Sequence, residues 1–218
     1  LLGPPRRALI FWIKLVTVKE ALMPLKSFVL SLGVAFAAMT ASAQQISLDA
    51  LSGYLNDLKT AKGAFTQVNG DGTVSTGTIW IKRPGRVRFE YNPPEKAMVI
   101  AGGGSLAIFD PQSDGPERYP LSQTPLSIIL AKDVNLTRAR MVVGHTSDGT
   151  TTTVVAQDPD NPEYGNIELV FTGAPVELRQ WVINDDGGGS TTVILGELEK
   201  GGRVPDRLFN IIRETKDW

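Results

Sequence analysis

From residue 64 onward the chain repeats one pattern, in which short segments of alternating apolar and polar residues are separated by clusters of glycine, proline, asparagine and aspartate. In RVRFEY (86–91), for example, Val87, Phe89 and Tyr91 fall on one side and the charged residues on the other. Period-two alternation is typical of β-strands with one buried face, and the intervening residues are those that tight turns require. Sequential strands with short turns predict one antiparallel sheet of about nine to eleven strands.

Two segments depart from this alternation and predict helices. In residues 46–60 the leucines recur at helical spacing, and Ser47 is placed to cap the amino end. Residues 124–131, TPLSIILA, are apolar almost all round, with Thr124 as the expected N-cap and Pro125 at the first helical position. The fold class is therefore α+β, mainly β: one strongly curved antiparallel sheet with helical segments on one side. A sheet of this width cannot fill its interior with its own side chains, so it must hold something inside, and the helices are candidates for that role, wholly or in part.

The first 43 residues have the pattern of a targeting sequence. Lys26 precedes an apolar stretch too short to span a bilayer as a helix, and Ala41-Ser42-Ala43 forms an A-x-A cleavage site. We interpret Met23 as the start, residues 1–22 as an over-extended gene start, and 44–218 as a single mature domain. The alternatives are a genuine extended n-region and an uncleaved membrane anchor.

Charge and cysteine content narrow the function classes. The formal charge is −1, and because residues 1–43 carry five cationic side chains and one anionic side chain, the remainder carries −5. An acidic domain argues against nucleic acid as the main partner. The absence of cysteine excludes thiolate chemistry and thiolate metal sites. The leader resembles a bacterial one, which predicts the periplasm of a Gram-negative bacterium.

The sequence offers no credible catalytic or metal-binding constellation. The single histidine, His145, is expected in a solvated turn, and the carboxylate pairs Asp158/Asp160 and Asp185/Asp186 lie in turn contexts. The glycine triplets at 102–104 and 187–189 fit hairpin turns better than phosphate cradles. We therefore expect a protein that is not an enzyme, with no cofactor and no metal.

An excess of large apolar side chains at strand and helix spacing remains, and it is compatible with an ordinary core or with a cavity. Arg83 stands out because it falls on the same side of its strand as Ile79 and Ile81. A guanidinium on an apolar face needs hydrogen-bonding partners, or it must reach the rim.

The segment IWIKRPGRVRFEYNPPEKAMVIAGGGSLAIFD (79–110) resembles the periplasmic lipoprotein carrier family LolA. The matching features are a strand ending in Trp-x-x-Arg-Pro, an aromatic strand ending before proline, a glycine turn, and a strand closing on Phe-Asp. Here these are Trp80, Arg83-Pro84, Phe89, Tyr91, Pro93-Pro94, the strand Met98 to Ile100, and Phe109-Asp110.

This resemblance implies an unclosed half-barrel with helices over its concave face, a monomer without cofactor. It would receive triacylated lipoproteins from an ATP-driven release complex of the inner membrane and deliver them to an outer-membrane receptor, or to the outer membrane directly. Arg83 would bond backbone carbonyls at the end of a lid helix and hold the closed state. The acyl-chain cavity and lid would comprise Arg83, Ile79, Ile81, Val87, Phe89, Tyr91, Met98, Ile100, Leu106, Ile108, Leu126, Ile128 and Ile129. The alternatives are a periplasmic lipid- or lipoprotein-sensing regulator with the same fold and, less favoured, a hydrolase.

Overall fold

The computed structural model describes residues 44–137, 140–185 and 187–218, except for the side chain of Asp217. The expectations about residues 1–43, including the start at Met23 and cleavage after Ala43, concern a part of the chain outside these ranges. The observations below refer to the described residues.

These residues form one antiparallel sheet and three short α-helices. The helices are α1 (Leu48–Asp57), α2 (Leu126–Leu130) and α3 (Ile211–Asp217), and 3₁₀ turns lie at Leu121–Gln123, Pro162–Tyr164 and Asp206–Phe209. The strands are β1 (Thr60–Val68), β2 (Val74–Lys82), β3 (Val87–Tyr91), β4 (Met98–Gly102), β5 (Ser105–Phe109), β6 (Glu117–Pro120), β7 (Val142–Ser147), β8 (Thr151–Gln157), β9 (Asn166–Thr172), β10 (Glu177–Asn184), β11 (Ser190–Leu195) and β12 (Glu199–Lys200).

The strand order is β6-β5-β4-β3-β2-β1-β11-β10-β9-β8-β7, and β12 pairs with β1. Most neighbours in space are therefore neighbours in sequence, and the sheet does not close, because β6 and β7 lie at its two ends. The predicted single, unclosed antiparallel sheet with few helices is confirmed. The sequence count of strands stops short of twelve because β12 has only two residues and no alternation of its own.

Ring contacts between distant strands demonstrate that the sheet is strongly curved. Phe89 of β3 and Trp181 of β10 have ring centroids 6.2 Å apart. These strands are separated by three others in the sheet order, so a flat sheet would place them about 19 Å apart at a strand spacing of about 4.8 Å. The concave face therefore encloses its own apolar side chains, and the helices have a hollow in which to pack.

The apolar side of the amphipathic helix α1 packs on the concave face of the sheet. Ser47 caps the helix as predicted, its hydroxyl accepting a hydrogen bond from the amide of Ala50 (3.3 Å). Leu51 and Leu55 are buried, and the Tyr54 ring meets the edge of Phe171 on β9 at 5.9 Å. The helix thus lies against the β9 side of the concave face.

The convex face carries a second, smaller apolar cluster, which is covered by the last part of the chain, residues 204–218 (the C-terminal segment). The cluster consists of Met98, Ile100, Ala107, Phe109, Val204, Phe209 and Ile211. Arg88, buried beneath this segment, donates to the carbonyl of Leu208 (2.9 Å) and forms ion pairs with Glu90 (2.6 Å) and Glu214 (3.2 Å). Apolar side chains therefore pack against both faces of the sheet.

Two local predictions were wrong. Thr124 does not cap α2 as expected: its hydroxyl donates to the carbonyl of Leu121 (2.8 Å), because a 3₁₀ turn precedes the helix. His145 lies in β7 rather than in a solvated turn, and its Nε2 is 3.0 Å from the carbonyl oxygen of Ile46. Within the described ranges, none of the helices combines the length and the apolar character needed to cross a bilayer.

Candidate functional site

The candidate site is the hollow between the concave face of the sheet and the helices α1 and α2. All four large apolar residues of α2 are buried, and Ser127, the one polar residue of this five-residue helix, is half-buried. Of the predicted cavity residues, the main core cluster contains Ile79, Ile81, Val87, Phe89, Leu106, Leu126, Ile128 and Ile129. Tyr91 is half-buried against this cluster, and burial raises its pKa to about 12.

Strand register explains which predicted residues share the concave face. Directly paired residues of neighbouring strands point to the same side. Phe89 pairs with Val99, and Val99 with Ile108, so these three side chains form a row on the concave side. Ile108 is half-buried and lines an open groove at the edge of the hollow.

Met98 and Ile100 do not belong to this hollow, and their prediction as cavity residues was wrong. They alternate with Val99 and Ala101 along β4, and they lie in the convex cluster under the C-terminal segment. Both faces of β4 are covered, so the strand is apolar throughout and alternation could not identify its inner face.

The Arg83-Pro84-Gly85 turn attaches the carboxyl end of α2 to the sheet. The Arg83 Nη2 group donates to the carbonyl oxygen of Ala131 (2.5 Å), and the amide of Gly85 donates to that of Leu130 (2.8 Å). Gly85 adopts φ = +70°, which glycine accepts without strain. The last two carbonyls of the helix region, which have no partner within the helix, are thereby satisfied by one turn of the sheet.

Arg83 is a cation in an apolar environment. Its exposure is 7%, and burial lowers its pKa, while the charge of Asp133 opposes that shift. The Nη2 group also makes a long contact with Asn56 Oδ1 (3.4 Å). The Nε and Nη1 groups are buried without a hydrogen-bond partner.

Polar side chains of α1 bind the loop that follows α2. The Asn56 amide donates to the carbonyl of Val134 (2.8 Å) and accepts from its amide (2.9 Å). The Ser52 hydroxyl accepts from the amide of Leu136 (3.0 Å). The loop is thus anchored to α1, whereas the end of α2 is anchored to the sheet.

In this structure the helices fill the hollow almost completely. A gap of only about 10 Å³ remains at its centre. The gap is lined by Leu55, Leu58, Ile81, Arg83, Val87, Leu126, Ile129, Leu130, Leu178 and Trp181. Leu126, at the amino end of α2, also borders an open groove of about 660 Å³ at the edge of the hollow, so this side chain lies between the two spaces.

Sequence reasoning missed Leu178 and Trp181, which line the central gap. They lie three positions apart along β10, so regular alternation would put them on opposite faces. A register shift between Leu178 and Gln180 brings both to the concave side. A β-bulge of this kind has no reliable signature in a single sequence. The described residues include no cluster of three histidine, aspartate or glutamate side chains that could hold a metal ion.

Residues 56–212 match the sequence model of a family described as "Outer membrane lipoprotein carrier protein LolA". A curated relative from Cupriavidus pinatubonensis, an outer-membrane lipoprotein carrier protein, is 25% identical and covers 80% of this chain and 87% of its own. One of the same name from Neisseria meningitidis is 26% identical, covering 78% and 84%. Among solved structures, a LolA superfamily protein from Nitrosomonas europaea shares 11% identity, with a TM-score of 0.41 over 76% of this chain and 98% of that one.

Proposed function

Because this chain belongs to the LolA family of outer membrane lipoprotein carrier proteins, we propose that it carries lipoproteins across the periplasm and shelters their acyl chains in the hollow. The observation that carries the proposal is the construction of α2, a short helix whose four large apolar side chains are all buried and whose carboxyl end is held to the sheet by one turn. So few polar contacts at this end favour a helix that can leave the sheet.

The energetics of the cargo require such a hollow. Burial of a methylene group is worth about 0.8 kcal/mol, so a sixteen-carbon acyl chain left in water costs roughly 12 kcal/mol. A soluble carrier can offset this cost only with apolar surface of its own. It must also release the cargo, so most of the binding surface should be apolar and non-directional, with few specific contacts.

We propose that the present arrangement is the closed, unloaded state. A gap of about 10 Å³ cannot hold an acyl chain, so α2 must leave the hollow when cargo enters. In the closed state α2 supplies the apolar contacts that cargo would otherwise make, which avoids an empty and unfavourable cavity. Arg83 and Gly85 are the groups that hold this state.

The binding surface in this proposal consists of the concave-face residues Ile79, Ile81, Val87, Phe89, Tyr91, Leu106 and Ile108, with Leu126, Ile128 and Ile129 on the lid. We propose triacylated lipoproteins as cargo, an ATP-driven inner-membrane release complex as the donor, and an outer-membrane receptor or the outer membrane itself as the acceptor. The protein acts as a monomer, without a cofactor and without catalysis.

A binding experiment with matched substitutions tests the proposal. Ile128→Asp places a charge on the buried face of α2, whereas Ile212→Asp places one on α3, where the side chain is 67% exposed. We expect the unmodified protein and the Ile212 variant to keep a fluorescent triacylated lipopeptide soluble during gel filtration, and the Ile128 variant to lose it. Thermal unfolding of each variant establishes that it is folded. Equal retention of the lipopeptide by both variants would contradict the proposal.

The role of Arg83 has a separate test. Arg83→Leu removes the bond to Ala131 but keeps an apolar side chain in the hollow. With closure weakened, α2 competes less well with cargo for the hollow. Cargo should therefore bind and then leave slowly when acceptor vesicles are added. Normal transfer by this variant would reject the role of Arg83 in closure.

A further inference from the structure

Among the described residues that line the central gap, three hydrogen-bond donor groups have no acceptor. They are Nε and Nη1 of Arg83 and Nε1 of Trp181, all buried. Arg83 is 7% exposed and Trp181 is 1% exposed, and both side chains line the same central gap. They approach it from opposite parts of the sheet, Arg83 from the end of β2 and Trp181 from β10.

None of the described side chains that line this gap can accept a hydrogen bond from these donors. The other lining side chains are leucine, isoleucine and valine. The gap of about 10 Å³ is at the lower limit of the space that one water molecule needs. Buried donors without acceptors are rare and costly, so a persistent set of them requires an explanation.

We propose that these donors bind the ester carbonyl oxygens of the cargo's acyl chains. This proposal rests on the proposed carrier function and adds a polar subsite to it. An acyl ester combines an apolar chain, which the hollow accommodates, with a carbonyl acceptor at the head of that chain. A carboxylate or phosphate would be a poorer match, because a second full charge would have to be desolvated in the same apolar space.

The closed structure already contains the contact that cargo would replace. The Arg83 Nη2 group donates to a carbonyl oxygen of the protein itself, that of Ala131 at the end of α2. When α2 leaves, the guanidinium exchanges this carbonyl for an ester carbonyl, and its Nε and Nη1 groups become accessible to the same ligand. Trp181 supplies a neutral donor to the second ester, and its ring stays packed edge-on against Phe89. Loading therefore satisfies donors that closure leaves unpaired.

The experiment compares two synthetic lipopeptides of equal chain length. One carries two palmitoyl esters, and in the other both ester carbonyls are replaced by methylene groups to give hexadecyl ethers. The measured quantity is the ratio of the two dissociation constants for each protein variant. Because opening of the lid costs the same for both ligands, it cancels in this ratio.

Trp181→Phe removes the indole donor and keeps an aromatic ring, and Trp80→Phe, against the convex cluster, is the matched control. We expect the preference for the ester over the ether to fall roughly fivefold in the Trp181 variant, as for one neutral hydrogen bond, and to be unchanged in the Trp80 variant. Arg83→Met should lower the preference by about tenfold, since the hydrogen bonds of the guanidinium are charge-assisted. This variant provides the test if the Trp181 variant does not fold.

An unchanged preference in the Trp181 and Arg83 variants would overturn the carbonyl subsite. If both lipopeptides still bind saturably in that case, the carrier function stands without it. Failure of the unmodified protein to bind either lipopeptide would overturn the carrier function together with the subsite.

Discussion

Arg86 and Arg88 lie two residues apart at the start of β3, and both reach the C-terminal segment, yet substitution should affect them very differently. Arg88 is buried, with 7% of its side chain exposed, and it binds the Leu208 carbonyl, Glu214 and Glu90. Arg86 is 31% exposed and pairs with Asp206, whose side chain is 72% exposed. Since water and salt screen exposed ion pairs, only the Arg88 contacts should contribute strongly.

The magnitude for Arg88→Met follows from its partners. Glu214, only 21% exposed, loses its cation, and the Leu208 carbonyl loses its donor. Removing one partner of a largely buried charged pair costs about 3–5 kcal/mol. With a urea m-value of about 2 kcal/mol/M for a domain of this size, a loss of about 4 kcal/mol moves the midpoint by about 2 M.

Urea unfolding of both methionine variants is the assay, with hydrogen exchange of the C-terminal segment as a local readout. The Arg88 variant should lose several times more stability than the Arg86 variant, and its C-terminal amides should lose their protection first. Similar midpoints for the two variants would refute the reasoning that burial, rather than the number of ion pairs, decides the contribution.

Three further outcomes are expected. A hydrogen bond from Lys82 and the charge of Lys82 hold the pKa of Asp206 below its usual 3.8. The contact therefore stabilises the fold above that pH, and this stabilisation is lost as the pH falls through the folded-state pKa. Asp206→Asn should abolish that part of the acid sensitivity, which is measured by following unfolding as a function of pH. Asn56→Ala breaks both bonds to the loop after α2 and should cost about 2 kcal/mol in thermal unfolding, with faster exchange in that loop. Gly102→Ala would bring a Cβ within 2.3 Å of a backbone oxygen of the C-terminal segment and should lower the free energy of unfolding by about 1–3 kcal/mol. Gly53→Ala places a Cβ that meets nothing within 4 Å and should stabilise α1 by up to about 1 kcal/mol. Opposite results for the two glycines would contradict the packing argument.

The sequence was informative wherever a pattern is local. The alternation in RVRFEY correctly placed Val87 and Phe89 on the inner face, because β3 has a charged outer face to contrast with it. Capping of α1 by Ser47 was likewise readable, since the cap and its amide partner are three residues apart. Arg83 could be singled out because a charge among isoleucines is anomalous in any register.

Inference from sequence failed where both faces of a strand are covered or where the register shifts. Met98 and Ile100 are as apolar as their neighbours Val99 and Ala101, so nothing local distinguishes the cavity side from the side covered by the C-terminal segment. Trp181 joins the hollow only because of the shift after Leu178. His145 looked like a turn residue, and its contact with Ile46 comes from a segment 99 positions away.

The amino-acid sequence by itself determined the period-two strands, the turns between them and the two helices, one amphipathic and one apolar. Each of these depends on residues that are close together in the sequence. Only the tertiary structure decided that Arg83 meets the carbonyl of Ala131, that Trp181 shares its gap, and that α2 fills the hollow. These contacts depend on the curvature of the whole sheet, which brings strands together that a flat sheet would hold about 19 Å apart.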